Sequence, residues 1–292
     1  MSRLVVALGG NAIAPADTGG SAPEQTATIT RAAGPLADLV AEGHDLVLTH
    51  GNGPQVGNLL LKNELAADIV PAMPLDWCVA QTQATIGFTI ATALEAALRE
   101  RGIDRPVVPV VSRVRVDADD PAFDHPTKPI GKWRPDGTRR LVPSPEPVEL
   151  LDERALRLLL DGGALVVAAG GGGIPMTADD DGHLAGIEAV IDKDLCADLL
   201  ARSVGASRLV ILTDVVAVAV DWGSPDQRDL GSVTARELRA LIDGEGFPAG
   251  SMGPKVEAAT RFVERGGATA AIGGLDDVAA VVAGSSGTQI RP

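Results

Sequence analysis

The sequence contains no tyrosine, and aromatic residues make up only 2% of its 292 positions. The core must therefore be packed mainly from valine, leucine, isoleucine and alanine. Cysteine is also scarce, since Cys78 and Cys196 are the only two, and neither they nor the four histidines show the spacing typical of a metal site. We expect two free, buried thiols in a reducing compartment; a disulfide between them is the alternative.

Long apolar runs are lacking as well, and the 25 basic residues are outnumbered by 39 acidic ones. No stretch of about 18 apolar residues occurs, so we expect no transmembrane helix and no membrane partner. No basic leader precedes the first apolar run, so we expect no signal peptide and a cytoplasmic location. The formal net charge of −14 argues against nucleic acid as a partner, because proteins that bind it normally present a basic patch.

Glycine, in contrast, is abundant, with 34 residues. Short runs rich in valine, leucine and alanine are typical of strands buried on both faces of a parallel sheet. Ligands bind such sheets at the carboxyl ends of the strands, where glycine lets backbone N–H groups face an anion. Four runs precede loops of this kind: 4–8 before GGN at 9–11, 45–49 before HGNGP at 50–54, 164–169 before GGGGIP at 170–175, and 209–212 before TD at 213–214.

Strand and helix patterns alternate along the chain, which predicts an α/β fold with a mainly parallel sheet between helices. The predicted helices are 24–42, one starting near 55, 78–100, 148–160, 193–204, 234–243 and 255–265. Further predicted strands are 107–111, 215–220, 268–272, 279–283 and 288–290. Residues 112–147 break the alternation with many prolines and predict a protruding subdomain containing a hairpin. The length suits one large domain or two lobes.

Familiar phosphate-binding motifs are absent. The sequence has no G-x-x-x-x-G-K-[ST], and HGNGPQVG places one residue too many before its last glycine to match G-x-G-x-x-G. Phosphate binding would therefore depend on backbone N–H groups, helix N-termini and isolated lysines.

Lysine is the rarer of the two strong cations, with five residues: Lys62, Lys128, Lys132, Lys193 and Lys255. Lys193 and Lys255 stand in the first turns of predicted helices, where the helix dipole disfavours a cation. Each follows a loop, so a nearby anionic ligand would explain both placements; a solvated surface lysine is the alternative. Lys128 stands in the PTKPIG segment of the insertion.

Several polar residues near these loops have two interpretations each. Asp194 either caps a helix or organises neighbouring lysines by ion pairing, and Asp214 either caps a turn or contacts a nucleotide. Asn11 and Asn52 are either turn residues or ligands of a phosphoryl group. For His50, a hydrogen-bonded structural role is favoured over that of a general base.

Taken together, the motifs resemble the carbamate kinases, a family of the amino-acid kinase superfamily. The resemblance spans nearly the whole chain in the family's order and rests on these segments: VVALGGNAI (5–13), THGNGPQVGNLLL (49–61), PAMPLDWCVAQTQATIGF (71–88), PTKPIG (126–131), VPSPEP (142–147), GGGGIP (170–175), GIEAVIDKDLCADLLA (186–201), LVILTDV (209–215) and FPAGSMGPKVEAATRFVE (247–264).

The resemblance implies a three-layer αβα sandwich with an open, mainly parallel sheet and a small protruding subdomain. It implies reversible phosphoryl transfer between ATP and carbamate, giving ADP and carbamoyl phosphate, and serving ATP formation. A homodimer is implied, with Mg²⁺ bound mainly through the nucleotide phosphates rather than by protein ligands. Residues 1–205 would bind carbamate or carbamoyl phosphate and include the 112–147 lid, whereas residues 206–292 would bind the nucleotide.

By the same resemblance, Lys128, Lys193 and Lys255 would neutralise the transferring group, and Asp194 would organise the lysines. The implied ligands of the phosphate and acceptor are Gly9, Gly10, Asn11, Gly51, Asn52 and Gly53. The implied ligands of the nucleotide are Asp214, Met252, Gly253 and Pro254. Two alternatives stay open: a kinase of the same fold with another acceptor, and a nucleotide sensor that has lost catalysis.

Overall fold

The computed structural model describes residues 2–10, 13, 20–131, 137–244, 247 and 252–292. Its helices are α1 (Ala22–Ala41), α2 (Gly53–Ala66), α3 (Leu75–Glu100), α4 (Glu153–Asp161), α5 (Lys193–Ser203), α6 (Ala235–Asp243), α7 (Gly253–Glu264) and α8 (Val278–Ala283). Its strands are β1 (Arg3–Leu8), β2 (Asp45–His50), β3 (Val107–Pro109), β4 (Arg113–Arg115), β5 (Lys128–Ile130), β6 (Arg140–Val142), β7 (Glu149–Leu150), β8 (Leu165–Val167), β9 (Ile174–Ala178), β10 (Leu184–Gly186), β11 (Arg208–Thr213), β12 (Ala219–Val220), β13 (Arg228–Asp229), β14 (Ser232–Thr234), β15 (Thr269–Gly274) and β16 (Thr288–Arg291).

An eight-stranded sheet forms the centre of the fold, in the order β14-β16-β15-β11-β1-β2-β8-β3. Its pairings are parallel except for the antiparallel pair of β15 and β16. Because β1 lies between β2 and β11, the loops that follow these three strands open at the same edge of the sheet.

The alternation of side chains along β1 creates the layers on either side of the sheet. Val5 and Ala7 point into a cluster that includes residues of α5 and α7, whereas Leu4, Val6 and Leu8 point into a cluster that includes residues of α1 and α3. All five side chains are almost completely buried. The predicted α/β class, with helices on both faces of a mainly parallel sheet, is confirmed.

The segment predicted as an insertion, 112–147, contributes strands to two separate parts of the fold. Its first strand, β4, joins a second, four-stranded sheet in the order β10-β9-β4-β7, while β5 and β6 form an antiparallel hairpin. Ile130 and Val142 of this hairpin pack with Val56 and Leu60 of α2 in a third apolar cluster. The hairpin therefore lies against the helix that follows the HGNGP loop.

One predicted element is wrong, and two others are shorter than predicted. Residues 279–283, predicted as a strand, belong to helix α8, which ends at Gly284 with a φ of +81°. The predicted strand 215–220 shrinks to β12, because the chain bends after Asp214. The predicted helix 148–160 begins only at Glu153, since β7 occupies Glu149–Leu150. Short apolar runs like these fit strand and helix equally well.

Within the described ranges, no helix combines the length and the hydropathy needed to cross a membrane.

Candidate active site

Two glycine loops meet at the carboxyl edge of the central sheet. The N–H of Gly9 donates to the carbonyl of Leu212 at 2.9 Å, and the N–H of Gly51 donates to the carbonyl of Leu8 at 3.1 Å. A Cβ on Gly9 would lie 2.8 Å from the oxygen of Leu212, so a larger residue would push the first loop away from β11. Glycine at this position thus allows the loop after β1 to approach the end of β11.

The side chain of Lys193 lies along these loops. A Cβ on Gly51 would stand 3.4 Å from the nitrogen of Gly10 and 3.4 Å from Cδ of Lys193. Lys193 is the first residue of α5. The fold therefore brings together Gly10, Gly51 and Lys193, three of the residues singled out from the sequence.

Asp194 lies between two lysines from different helices. Its Oδ1 accepts a hydrogen bond from Nζ of Lys193, and its Oδ2 accepts one from Nζ of Lys255 at 3.2 Å. Lys255 stands in the first turn of α7, which packs against α5. The Asp194 side chain is only 4% exposed, so water screens these ion pairs weakly. One carboxylate thus holds two ammonium groups that would otherwise repel each other.

The environment of Lys193 disfavours its charged form. Burial lowers the pKa of Lys193, the charge of Asp194 opposes that effect, and the charge of Lys255 lowers the pKa further. An anion bound beside Lys193 would favour the charged form and offset the cost of burial. This electrostatic arrangement suits a negatively charged ligand.

Lys128 pairs with a different carboxylate, that of Asp192. Nζ of Lys128 donates to Oδ2 of Asp192 at 2.7 Å, while Oδ1 accepts from the backbone N–H groups of Asp194 and Leu195. Asp192 is thereby the N-cap of α5. Sequence reasoning missed this residue, although an aspartate directly before a predicted helix is a recognised capping signal.

The charge of Asp192 is strongly stabilised. Burial alone would raise the pKa of this carboxyl, but Lys128, Lys193 and the N–H of Asp194 outweigh it and hold the pKa at about 2. Asp192 is therefore ionised throughout the neutral pH range.

The GGGG loop packs closely on the end of β2. A Cβ on Gly170 would lie 2.2 Å from Nε2 of His50, and one on Gly171 would lie 2.1 Å from Nδ2 of Asn52. Nδ2 of Asn52 donates to Oγ1 of Thr82 at 2.8 Å, and Asn52 is the N-cap residue of α2. These contacts fix the loop at which α2 begins.

His50 is buried and neutral. Its Nδ1 lies 3.0 Å from the carbonyl oxygen of Gly51, so Nδ1 carries the proton and donates. Burial lowers the pKa of His50 to about 4; the hydrogen bond to Gly51 opposes this effect and the charge of Lys193 adds to it. This geometry matches the structural role favoured for His50.

The remaining sequence candidates spread over a wider area. Asp214 is exposed after β11, where Oγ1 of Thr213 donates to its Oδ1 at 3.0 Å, and it lines a cleft of about 410 Å³ together with Arg31 of α1. Met252 is the N-cap residue of α7, and Gly253 and Pro254 form its first turn beside Lys255. Gly53 begins α2. Asn11 lies outside the described residues.

Comparison with known proteins assigns the chain to a family. The model of the amino acid kinase family matches residues 2–274. The chain belongs to the amino acid kinase family. Within this family it is 42% identical to the carbamate kinase of Thermococcus kodakarensis, over 99% of both chains.

Solved structures agree with this assignment. This amino acid kinase superposes on a carbamate kinase from Giardia lamblia bound to AMP-PNP with a TM-score of 0.93, at 36% identity and covering 99% of this chain and 98% of the other. A structure of the Giardia lamblia enzyme thiocarbamoylated by disulfiram on a cysteine gives a TM-score of 0.91 at 34% identity, with the same coverage. The resemblance noted in the sequence is therefore confirmed.

Proposed function

We propose that this protein is a carbamate kinase. It transfers a phosphoryl group reversibly between ATP and carbamate, giving ADP and carbamoyl phosphate, and it operates toward ATP formation. The observation that carries the proposal is the pair of ammonium groups that Asp194 holds at the N-termini of α5 and α7. Full-length similarity to carbamate kinases supports the same substrates.

Phosphoryl transfer needs charge stabilisation and positioning more than covalent participation by the protein. Carbamate is already an anion, so its oxygen can attack the γ-phosphorus of ATP without a strong general base. The new O–P bond forms as the bond from phosphorus to the β–γ bridging oxygen breaks, and ADP leaves with the electron pair. The difficulty is repulsion between the two anions, which preorganised positive groups relieve.

We assign these positive groups to Lys193 and Lys255, with Asp194 setting the distance between them. Lys128, on the hairpin, contributes a third charge from the acceptor side. The proposed ligands of the phosphate and acceptor are Gly9, Gly10, Asn11, Gly51, Asn52 and Gly53. The proposed ligands of the nucleotide are Asp214, Met252, Gly253 and Pro254.

We propose that Mg²⁺ enters with the nucleotide and is held mainly by its phosphates. Lysines and backbone N–H groups engage both oxygens of Asp194 and of Asp192, so these carboxylates are already neutralised. Among the described residues, no group of three histidine, cysteine, aspartate or glutamate side chains could hold a metal ion. This donor set fits a cation that the nucleotide carries, which would neutralise phosphate charge during transfer.

Each part of the chain then has a task. We propose that residues 1–205 bind carbamate or carbamoyl phosphate, with residues 112–147 as a lid, and that residues 206–292 bind the nucleotide.

Both cysteines are free and buried, which suits the reducing cytoplasm.

We also propose a homodimer. The end of α2, the segment after it and the first turn of α3 expose large apolar side chains, with Leu65 at 78%, Ile69 at 87% and Trp77 at 61%. Exposed apolar side chains grouped in this way mark an interaction surface, and a second copy of the chain would cover it. Sedimentation should give twice the mass of the chain, and Ile69→Asp should shift it toward the monomer.

The direct test supplies carbamoyl phosphate and ADP and measures ATP with a coupled reaction. The proposal predicts turnover that requires both substrates and Mg²⁺. In the reverse direction, a panel of acceptors that includes acetate, aspartate, glutamate and UMP should give far less ADP than carbamate does. Turnover of another acceptor would assign the protein to a different kinase activity, and nucleotide binding without any turnover would make it a sensor.

A further inference from the structure

Asp192 does more in this structure than cap a helix. Capping needs one carboxylate oxygen, and Oδ1 serves that purpose for the N–H groups of Asp194 and Leu195. The other oxygen, Oδ2, binds Nζ of Lys128, which lies 64 residues earlier in the chain on strand β5. The ion pair is mostly buried, with side-chain exposures of 22% for Lys128 and 16% for Asp192.

This ion pair joins the hairpin to the helix that carries the other charges. Asp192 immediately precedes Lys193 and Asp194, so its position and theirs move together with the start of α5. Lys128 has a long, flexible side chain that a surface hairpin would otherwise leave free to move. Oδ2 of Asp192 therefore determines where the ammonium group of Lys128 lies relative to Lys193.

The local charge balance also depends on Asp192. Three lysines, Lys128, Lys193 and Lys255, meet two carboxylates, those of Asp192 and Asp194. Removal of the Asp192 charge would therefore change the electrostatic environment of both Lys128 and Lys193.

We propose that Asp192 is a positioning residue for phosphoryl transfer, acting through Lys128 to place its ammonium group at the phosphoryl site. The inference rests on the proposed carbamate kinase function. Its physical basis is preorganisation, because a charge that is already in place needs no reorganisation as the reaction proceeds.

The test is a double-mutant cycle of Asp192→Asn and Lys128→Ala, measured as kcat and KM with carbamoyl phosphate and ADP. Asparagine caps helices as well as aspartate does, so the variant keeps the cap and removes the charge. We expect Asp192→Asn to lower kcat about tenfold, the scale of coupling between residues in contact. Because the mostly buried Lys128 loses its partner, Tm should fall as well, and kcat is therefore measured well below the Tm of the variant. In the Lys128→Ala background the same change should alter kcat less than about twofold, because the partner is already absent.

Asp45→Asn is the matched control. Asp45 is 18% exposed and pairs with Arg3 and Arg105, but it begins β2, at the opposite end of that strand from the HGNGP loop. It should keep the kcat of the wild type. If Asp192→Asn fails to fold, Asp192→Ser retains a capping oxygen without charge and replaces it in the cycle.

The possible results separate the two proposals. A wild-type kcat in Asp192→Asn, or effects of Asp192 and Lys128 that multiply independently, would overturn the positioning role and leave only the cap. In either case the wild type still turns over carbamoyl phosphate. Absence of turnover in the wild type would instead overturn the proposed function, and the inference with it.

Discussion

Replacing Gly57 with alanine should disturb the packing of the hairpin on α2 without weakening the helix itself. Gly57 lies inside α2, and a Cβ there would stand 2.1 Å from both Cα and N of Gly131 and 2.9 Å from the carbonyl carbon of Ile130. All of these atoms belong to the backbone, so no side-chain rotation can relieve the overlap. Gly131 itself has a φ of +71° and donates its N–H to the carbonyl of Gly53 at 3.0 Å.

The expected size of the effect follows from this geometry. Carbon atoms in contact prefer a separation of about 3.5–4.0 Å, so the hairpin must retreat by more than about 1 Å. Overpacking of this kind costs about 1–3 kcal/mol, which the better helix propensity of alanine offsets by about 1 kcal/mol. Lys128 stands three residues before Gly131 and moves with it. Because a misplacement of about 1 Å can cost about 10²-fold in rate, we expect kcat/KM to fall by that order.

The assay measures kcat/KM with carbamoyl phosphate and ADP, together with the free energy of unfolding in urea. Gly34→Ala is the matched control, since it also places alanine inside a helix, and its nearest neighbour is a side-chain nitrogen of Arg101 at 3.9 Å. It should leave kinetics unchanged, and any gain in stability should stay below about 1 kcal/mol because Pro35 restricts a preceding residue that has a Cβ. If Gly57→Ala behaved like Gly34→Ala in both measurements, the hairpin contact would have no role in catalysis.

Three further predictions concern single groups. Lys193→Ala should lower kcat about 10²-fold, the scale of one electrostatic stabiliser. Lys62→Ala, on α2, is the control and should change kcat very little. Equal kcat values in the two variants would show that Lys193 is not part of the site. Because the folded state holds the pKa of His50 at about 4, below its ordinary 6.5, the stability that a neutral His50 contributes is complete above pH 6.5 and is lost as the pH falls toward 4. This loss amounts to about 3 kcal/mol, so urea titrations should show a slope in this window that His50→Gln reduces, and an unchanged slope would contradict the assignment. Disulfiram should neither inactivate the protein nor add to its mass at neutral pH, because Cys78 and Cys196 are fully buried and burial raises the pKa of both thiols, that of Cys196 to about 12. The Giardia lamblia enzyme, treated in parallel, is the positive control. An increase in the mass of this protein would show that a thiol becomes accessible.

Local sequence signals predicted the elements of the sheet well and the elements around it less well. The strands β1, β2 and β11 are mainly apolar segments of six residues that are followed by glycine or polar residues, so their signal is strong. The segment of α8, VAAVVA, reads equally well as a short buried strand; its place beside α1 and its left-handed cap at Gly284 make it a helix. Tertiary context decides such short apolar segments.

The candidate site shows the same division. Lys193 and Lys255 were recognisable because a cation in the first turn of a helix is locally unfavourable. The partner of Lys128 was not recognisable, because Asp192 lies 64 residues away in the sequence. Its position before a helix indicates a capping role and gives no sign of the second contact, with Lys128. The packing of Gly57 on Gly131 was equally hidden, since either glycine alone is unremarkable.

The sequence by itself determined the α/β class, the glycine loops at strand ends and the helix positions of two lysines, because these depend on residues within a few positions of one another. Only the tertiary structure decided the strand order, the pairing of each lysine with its carboxylate and the packing of the hairpin on α2. Those features depend on contacts between distant segments, and such contacts exist only once the central sheet has brought its loops to a common edge.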